Sequence, residues 1–185
     1  RILDLACGTG DLALAAAAQL DSSGRVIGVD KASQMLRLAA SKVARRRTDS
    51  VSLVLGDGMS LPFKDASFDA VMIAFGIRNM SDTSVCLAEM RRLLSLGGRA
   101  IVLEFSLPAN RILRQLHRLY LRYIVPAVGR LVSGDPEAYR YLDQTIETYA
   151  QGEDFCRMMR RAGFVDVVSE PISFGIVAIY TGKKI

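Results

Sequence analysis

One nine-residue run near the start of the chain, Leu3-Asp4-Leu5-Ala6-Cys7-Gly8-Thr9-Gly10-Asp11, does most to limit the folds open to this sequence. A short apolar strand, Arg1 to Ala6, runs into two closely spaced glycines, and Leu12 to Leu20 comes next as an Ala-rich helix. Glycines at 8 and 10 let the backbone pass close to a ligand where a Cβ would collide, and the helix behind them offers free N–H groups. A nucleotide-like ligand fits such a turn. Gly8, Gly10 and Ala13 also satisfy the dinucleotide fingerprint G-x-G-x-x-G/A, so the run alone leaves the kind of nucleoside open.

The chain then repeats the strand-to-helix pattern. Val26 to Asp30 reads as a second strand, Ala32 to about Arg45 as a helix, and Val51 to Leu55 as a third strand. Phe68 to Phe75 is a fourth, too continuously apolar to have a wet face. Residues 83 to 95 suit a helix closed by Gly97-Gly98 as a C-cap, and Arg99 to Phe105 is strand five. This alternation predicts a Rossmann-like α/β fold: a seven-stranded, mostly parallel sheet with helices on both faces and ligands at the strands' carboxyl ends. After Pro108 the pattern changes to a helical insertion over about 108–150, with Leu113, Leu116, Tyr120 and Tyr123 at helical spacing and basic residues between. A helix over Glu153 to Ala162 ends at Gly163, and Phe164 to Val168 and Ile172 to Tyr180 read as closing strands.

Length and composition bound the rest. At 185 residues, 50% hydrophobic and 23% charged, the chain suits one domain spanning 1–185, and its apolar runs stop short of a membrane span. Cys7, Cys86 and Cys156 form no CxxC pair or ligand cluster, so no metal site is expected and a reduced, cytoplasmic setting fits. Two basic clusters, Arg37 with Lys42 to Arg47 and Arg111 with Arg114, Arg118 and Arg122, attract anions but lack the aromatic interleaving of a nucleic-acid platform. Nucleic acid is therefore not an expected partner. Peripheral contact with the inner face of the membrane and a homodimer both stay open. The chain opens at Arg1 directly in a strand, which reads as lacking an N-terminal lid segment.

Two further carboxylates are placed for a nucleoside. Asp30 ends the second strand twenty residues after Gly10, where it can accept both ribose hydroxyls; the plainer alternative is an N-cap for the next helix. Gly56-Asp57-Gly58 ends the third strand, with Asp57 able to accept from an exocyclic amine and the Gly58 N–H able to meet a ring nitrogen; the plainer alternative is an Asp-Gly turn. Strand four runs out into Ala74-Phe75-Gly76-Ile77-Arg78-Asn79, where Arg78 and Asn79 either cap the following helix or orient an oxygen-bearing substrate.

Taken together, Leu3 to Asp11, Gly56-Asp57 with Leu61-Pro62-Phe63, Ser67-Phe68-Asp69-Ala70, Phe75 to Asn79, Gly97-Gly98-Arg99 and Leu103-Glu104-Phe105-Ser106 resemble the UbiE/COQ5 (MenG) family of quinone-biosynthesis C-methyltransferases. The likeness continues into Tyr139-Arg140-Tyr141-Leu142, Ile146-Glu147 and Ala162-Gly163-Phe164. It implies a class I S-adenosylmethionine-dependent methyltransferase fold and C-methylation of a polyprenyl hydroquinone ring, with menaquinone or ubiquinone as the pathway. Asp4, Gly8, Thr9, Gly10, Asp30, Asp57, Gly58 and Ala74 would then form the cofactor site. Lys31-Ala32 stands where the family usually has Phe-Ser, Gly58 where Ala is usual, and Tyr149-Ala150 where Phe-Pro is common.

Ring methylation needs an electron-rich aromatic held in line with the sulfonium methyl. Arg78, always protonated, is expected to stabilise a phenolate oxygen, Asn79 to orient it, and Asp11 to accept the proton; as the alternative, Asp11 is an acid at a helix N-terminus. His117, among arginines on the insertion, reads as a surface residue. The apolar stripe around it is ordinary core, a groove for the prenyl tail, or a membrane-facing side. Two rival readings are an NAD-binding oxidoreductase and a non-catalytic member of a quinone-synthesis assembly.

Overall fold

The computed structural model describes residues 1–119 and 149–185, apart from the side chains of His117 and Arg118. Seven strands form one sheet in the order β3-β2-β1-β4-β5-β7-β6. β1 (Ile2–Leu5), β2 (Val26–Asp30), β3 (Val51–Leu55), β4 (Phe68–Ala74) and β5 (Leu94–Phe105) pair in parallel. β7 (Val177–Lys183) runs antiparallel to β5 and to β6 (Val165–Ile172). The chain winds outward from β1 through β2 to β3, then crosses to β4 on β1's other side. The β1/β4 junction is therefore the switch point, where loops diverge and leave a crevice.

Helices cover both faces because the parallel strands are apolar on both. Val71 and Ile73 pack with α3 (Thr83–Leu93) and with Phe155, Cys156 and Met159 of α5 (Glu153–Arg161). The intervening Met72 packs in a second core with Ala13 of α1 (Asp11–Ala17), Val26 and Val51, and Val43 of α2 (Ser33–Arg46) lies against that core. The same alternation turns Asp4 away from Leu3 and Leu5 and toward the start of α1.

Several element boundaries differ from the sequence reading. α1 begins one residue early, on Asp11, and ends at Ala17. Gly97-Gly98 does not cap α3: the helix stops at Leu93 with Leu94 already extended, and β5 starts there. Gly97, at φ +79°, sits instead inside β5, where the register with β4 shifts between Phe68 and Ala70. Ile172 belongs to β6, and a short 3₁₀ turn, Ser173–Gly175, separates it from β7, which extends to Lys183. Of the expected insertion, residues 108–119, with α4 (Arg111–Leu119), and 149–150 are described; Tyr120, Tyr123 and Tyr139 to Glu147 lie outside the described residues, as does the His117 side chain. No described helix is long and apolar enough to cross a membrane, and the described residues hold no cluster of metal ligands.

Candidate active site

The carboxyl ends of the central strands enclose a cleft. Asp30 and Lys31 form one side, Gly56, Asp57 and Gly58 another, and Ala74, Phe75, Gly76, Asn79 and Met80 face them, with Ala6 at the switch point. Five residues chosen from the sequence thus line it: Asp30, Asp57, Gly58, Ala74 and Asn79.

On the nucleoside side, Asp30 Oδ2 accepts the Gly8 N–H at 2.8 Å and Oδ1 accepts the Ala32 N–H at 2.8 Å. One carboxylate therefore ties the glycine turn to the start of α2, and its remaining lone pairs are available to ligand hydroxyls. Asp30 is not the N-cap of α2; that position is Ala32. Gly10 holds the turn against α2: its φ is +79°, and a Cβ there would lie 3.0 Å from Ala39 Cβ. Asp57 Oδ1 accepts the Met59 N–H at 3.0 Å, so it serves the Asp-Gly turn and the cleft together. The loop beyond is pinned from α3: Glu89 accepts the Leu61 N–H at 2.8 Å, and Arg92 donates to the Phe63 carbonyl at 2.8 Å and the Leu61 carbonyl at 3.1 Å.

Asp4 lies out of solvent, with its Oδ2 lacking any hydrogen-bond partner. Burial raises its carboxyl to about 7, against the lowering effect of the Ala13 N–H and with a smaller contribution from the Asp30 charge. Asp4 does not line the cleft, so the effect of its unpartnered acceptor on a ligand there is electrostatic. The neighbouring thiol of Cys7, pushed up to about 12 chiefly by burial, is inert.

The structure does not bring Asp11 into the cleft. Its carboxylate is largely exposed, pairs with Lys42 Nζ at 2.7 Å and accepts the Thr9 hydroxyl at 2.8 Å. Those bonds, Lys42's first, hold it below the usual carboxylate range and make it a weak proton acceptor. Lys42 also donates to Thr9 Oγ1 at 2.8 Å, so Thr9 faces this polar cluster and does not line the cleft. The sequence reading gives Lys42 no site role beyond its place in an anion-attracting basic cluster; a partner thirty-one positions away leaves no local signal.

Arg78 is likewise placed behind the cleft wall. Its side chain is 9% exposed, and Nη1 donates to Glu104 Oε1 at 2.6 Å and to the Phe75 carbonyl at 2.9 Å. The expected direct hold on a substrate oxygen is thus corrected: the guanidinium is committed to a buried ion pair. Nor do Arg78 and Asn79 cap the next helix, because Asp82 does so, accepting from the Ser84 and Val85 N–H groups. Glu104, an acid inside the apolar run Ile101 to Phe105, is a residue whose pattern signals a role that the sequence reading did not assign. The wall itself is tight: Phe75 has φ +54°, and a Cβ on Gly76 would come within 2.7 Å of Ala6 Cβ.

Glycine turn, acidic rim and switch-point cleft together define a Rossmann-like α/β protein built for a nucleoside. Of the rim carboxylates, Asp30 suits the ribose of any nucleoside, whereas Asp57 has no part in the dinucleotide fingerprint. Residues 1–184 match the ubiE/COQ5 methyltransferase family. The chain is 40% identical to demethylmenaquinone methyltransferase of Geobacillus kaustophilus, over 100% of this chain and 79% of the relative. It is also 40% identical to the ubiquinone/menaquinone biosynthesis C-methyltransferase UbiE of Geobacter sulfurreducens, over 100% of this chain and 72% of the relative. Among solved structures, a SAM-dependent methyltransferase from Aquifex aeolicus shares the fold, with a TM-score of 0.72 at 15% identity over 100% of this chain and 81% of that one. The chain belongs to the ubiE/COQ5 methyltransferase family.

Proposed function

We propose that this chain transfers a methyl group from S-adenosylmethionine to a ring carbon of a polyprenyl hydroquinone in quinone biosynthesis. The observation that carries the reading is the acidic cleft at the switch point of a chain that matches the methyltransferase family from end to end. The names of the two relatives cover menaquinone alone and ubiquinone with menaquinone, so the substrate class is the hydroquinone they share.

The residues fit an S-adenosylmethionine ligand. Asp30 and Asp57 supply acceptors for ribose hydroxyls and an exocyclic amine, the Gly58 N–H serves a ring nitrogen, and the unpartnered Asp4 Oδ2 favours the cationic amino-acid end. When bound, the sulfonium supplies an electrophilic methyl group. The chain's own contribution is then positioning and water exclusion: Ala74, Phe75 and Gly76 wall off the reacting end, and Asn79, on the cleft lining, orients a ring oxygen. Thr9 and Asp11 act with Lys42 to hold the glycine turn on α2.

Ile112, Leu113, Leu116 and Leu119 stand exposed on α4 beside Arg111, a face suited to a prenyl tail at a lipid surface. Replacing them with polar residues is expected to weaken long-tail substrates and spare short-tail analogues; equal losses would remove the tail from this face. One domain over 1–185 accounts for all these parts.

The direct test is isothermal titration with S-adenosylmethionine, S-adenosylhomocysteine and NAD, then methylation of demethylmenaquinol. Binding of both adenosyl ligands with turnover supports the reading. Binding of NAD alone would sink it, and adenosyl binding without turnover would leave a non-catalytic member of an assembly.

A further inference from the structure

The buried pair of Arg78 and Glu104 has a feature that fold stability does not explain. Glu104, 2% exposed, receives Arg78 Nη1 at 2.6 Å and the Phe105 N–H at 2.8 Å on the same oxygen, Oε1. Its Oε2 and Arg78 Nε are buried and have no partner. Burial raises the Glu104 carboxyl despite the cation beside it. A pair with two open valences is a poor stabiliser, and apolar residues of similar volume would serve a core at least as well.

The other contacts of Arg78 lead to the reaction side of the cleft. Arg78 holds the Phe75 carbonyl at 2.9 Å and lies 5.1 Å from the Phe105 ring, and that ring sits 4.5 Å from the Phe75 ring. Phe75 is left-handed and lines the cleft with Gly76, which has no room for a side chain against Ala6. A strained turn at the point of reaction persists only where its surroundings over-determine it.

We propose that Glu104 is a positioning residue for methyl transfer, acting through Arg78 to hold the Phe75–Gly76 turn where the acceptor ring must lie. This rests on the methyltransferase reading. Glu104 touches neither ligand. It fixes the orientation and charge of Arg78, and Arg78 fixes the wall. Binding of S-adenosylmethionine, which relies on the other side of the cleft, is left largely alone.

The test is steady-state methylation of demethylmenaquinol by the full chain and by Glu104→Gln, Arg78→Met and the double variant, with S-adenosylmethionine titrated calorimetrically into each. Glu104→Gln is expected to lower kcat about 100-fold while the affinity for S-adenosylmethionine stays within about threefold. In the Arg78→Met background the same change is expected to cost nothing more, because the route it acts through is gone. An unchanged kcat, an equal loss in affinity, or an additive loss in the double variant would overturn the proposal. Should Glu104→Gln leave Arg78 uncompensated and fail to fold, the paired variant Arg78→Met with Glu104→Leu removes both charges. Wild-type turnover in that folded pair would equally overturn it. A wild-type chain that binds S-adenosylmethionine but methylates nothing defeats the functional reading itself, and the proposal falls with it before any variant is compared.

Discussion

The two sides of the cleft are built differently. On the nucleoside side the rim carboxylates are anchored by backbone amides: Gly8 and Ala32 on Asp30, Met59 on Asp57. On the reaction side the charged groups lie behind the rim, paired with each other and left with an open donor and an open acceptor. Two non-glycine residues with left-handed backbone stand at the meeting of the two, Ala6 at φ +49° just past β1 and Phe75 at φ +54° just past β4. The rim carboxylates are thus held by the fold's own amides, whereas the buried pair behind Phe75 leaves two valences open.

Asp4 is the strongest challenge to that contrast, because it belongs to the nucleoside side yet is buried and short of a partner. An ordinary unfolded carboxyl titrates near 4, while Asp4 in the fold titrates at about 7. A raised native value means that the group's contribution is fully present below about pH 4 and is lost as pH rises to about 7, on the order of 4 kcal/mol in all. Urea unfolding of the wild type is expected to show stability falling across that window, and Asp4→Asn to flatten it. A wild-type profile without the fall would show Asp4 to be as well satisfied as Asp30.

Next in size is Asp30→Ala. It removes both the ligand acceptor and the anchor of Gly8, so the affinity for S-adenosylmethionine is expected to drop about 100-fold, roughly 2.7 kcal/mol, by calorimetry. A drop under tenfold would move the nucleoside contacts elsewhere. Asp11→Asn, which weakens an exposed pair with Lys42, should shift thermal stability by less than about 1 kcal/mol and leave the pH dependence of kcat in place. Loss of a titrating limb from the kcat profile would restore Asp11 as the proton acceptor. The smallest effect is expected from Gly58→Ala, within about 0.5 kcal/mol in melting and with cofactor affinity kept. Its new Cβ would crowd the tip of the flexible Met80 side chain at 3.2 Å and reach Leu5 at an ordinary contact distance of 3.9 Å. A large loss there would show the nucleoside side to be as tightly packed as Gly76.

Much of the fold was legible because local signals agreed. The Asp4-to-Asp11 run, the apolar Val51 to Leu55 and the alternation of elements each specify strand or helix without outside help. Boundaries failed where tertiary pairing overrode them: Gly97-Gly98 resembles a helix stop, but hydrogen bonds between Gly97 and Lys184 and between Lys184 and Gly98 place it in the sheet. In the cleft, Asp30, Asp57 and Ala74 line one edge, since strand order alone brings the ends of their strands together.

Element order, the carboxylates at the strand ends that line the cleft and, through the resemblance, the family were all written in the chain. Which charged residues line the cleft was decided by how the elements pack in space. Asp11 and Arg78 stand beside the decisive motifs in sequence, but their partners Lys42 and Glu104 come from other elements and draw them out of the cleft. Periodicity and spacing report which face of an element is apolar; the energy of a charge depends on the opposite charge nearest in space, and chain distance carries no record of it.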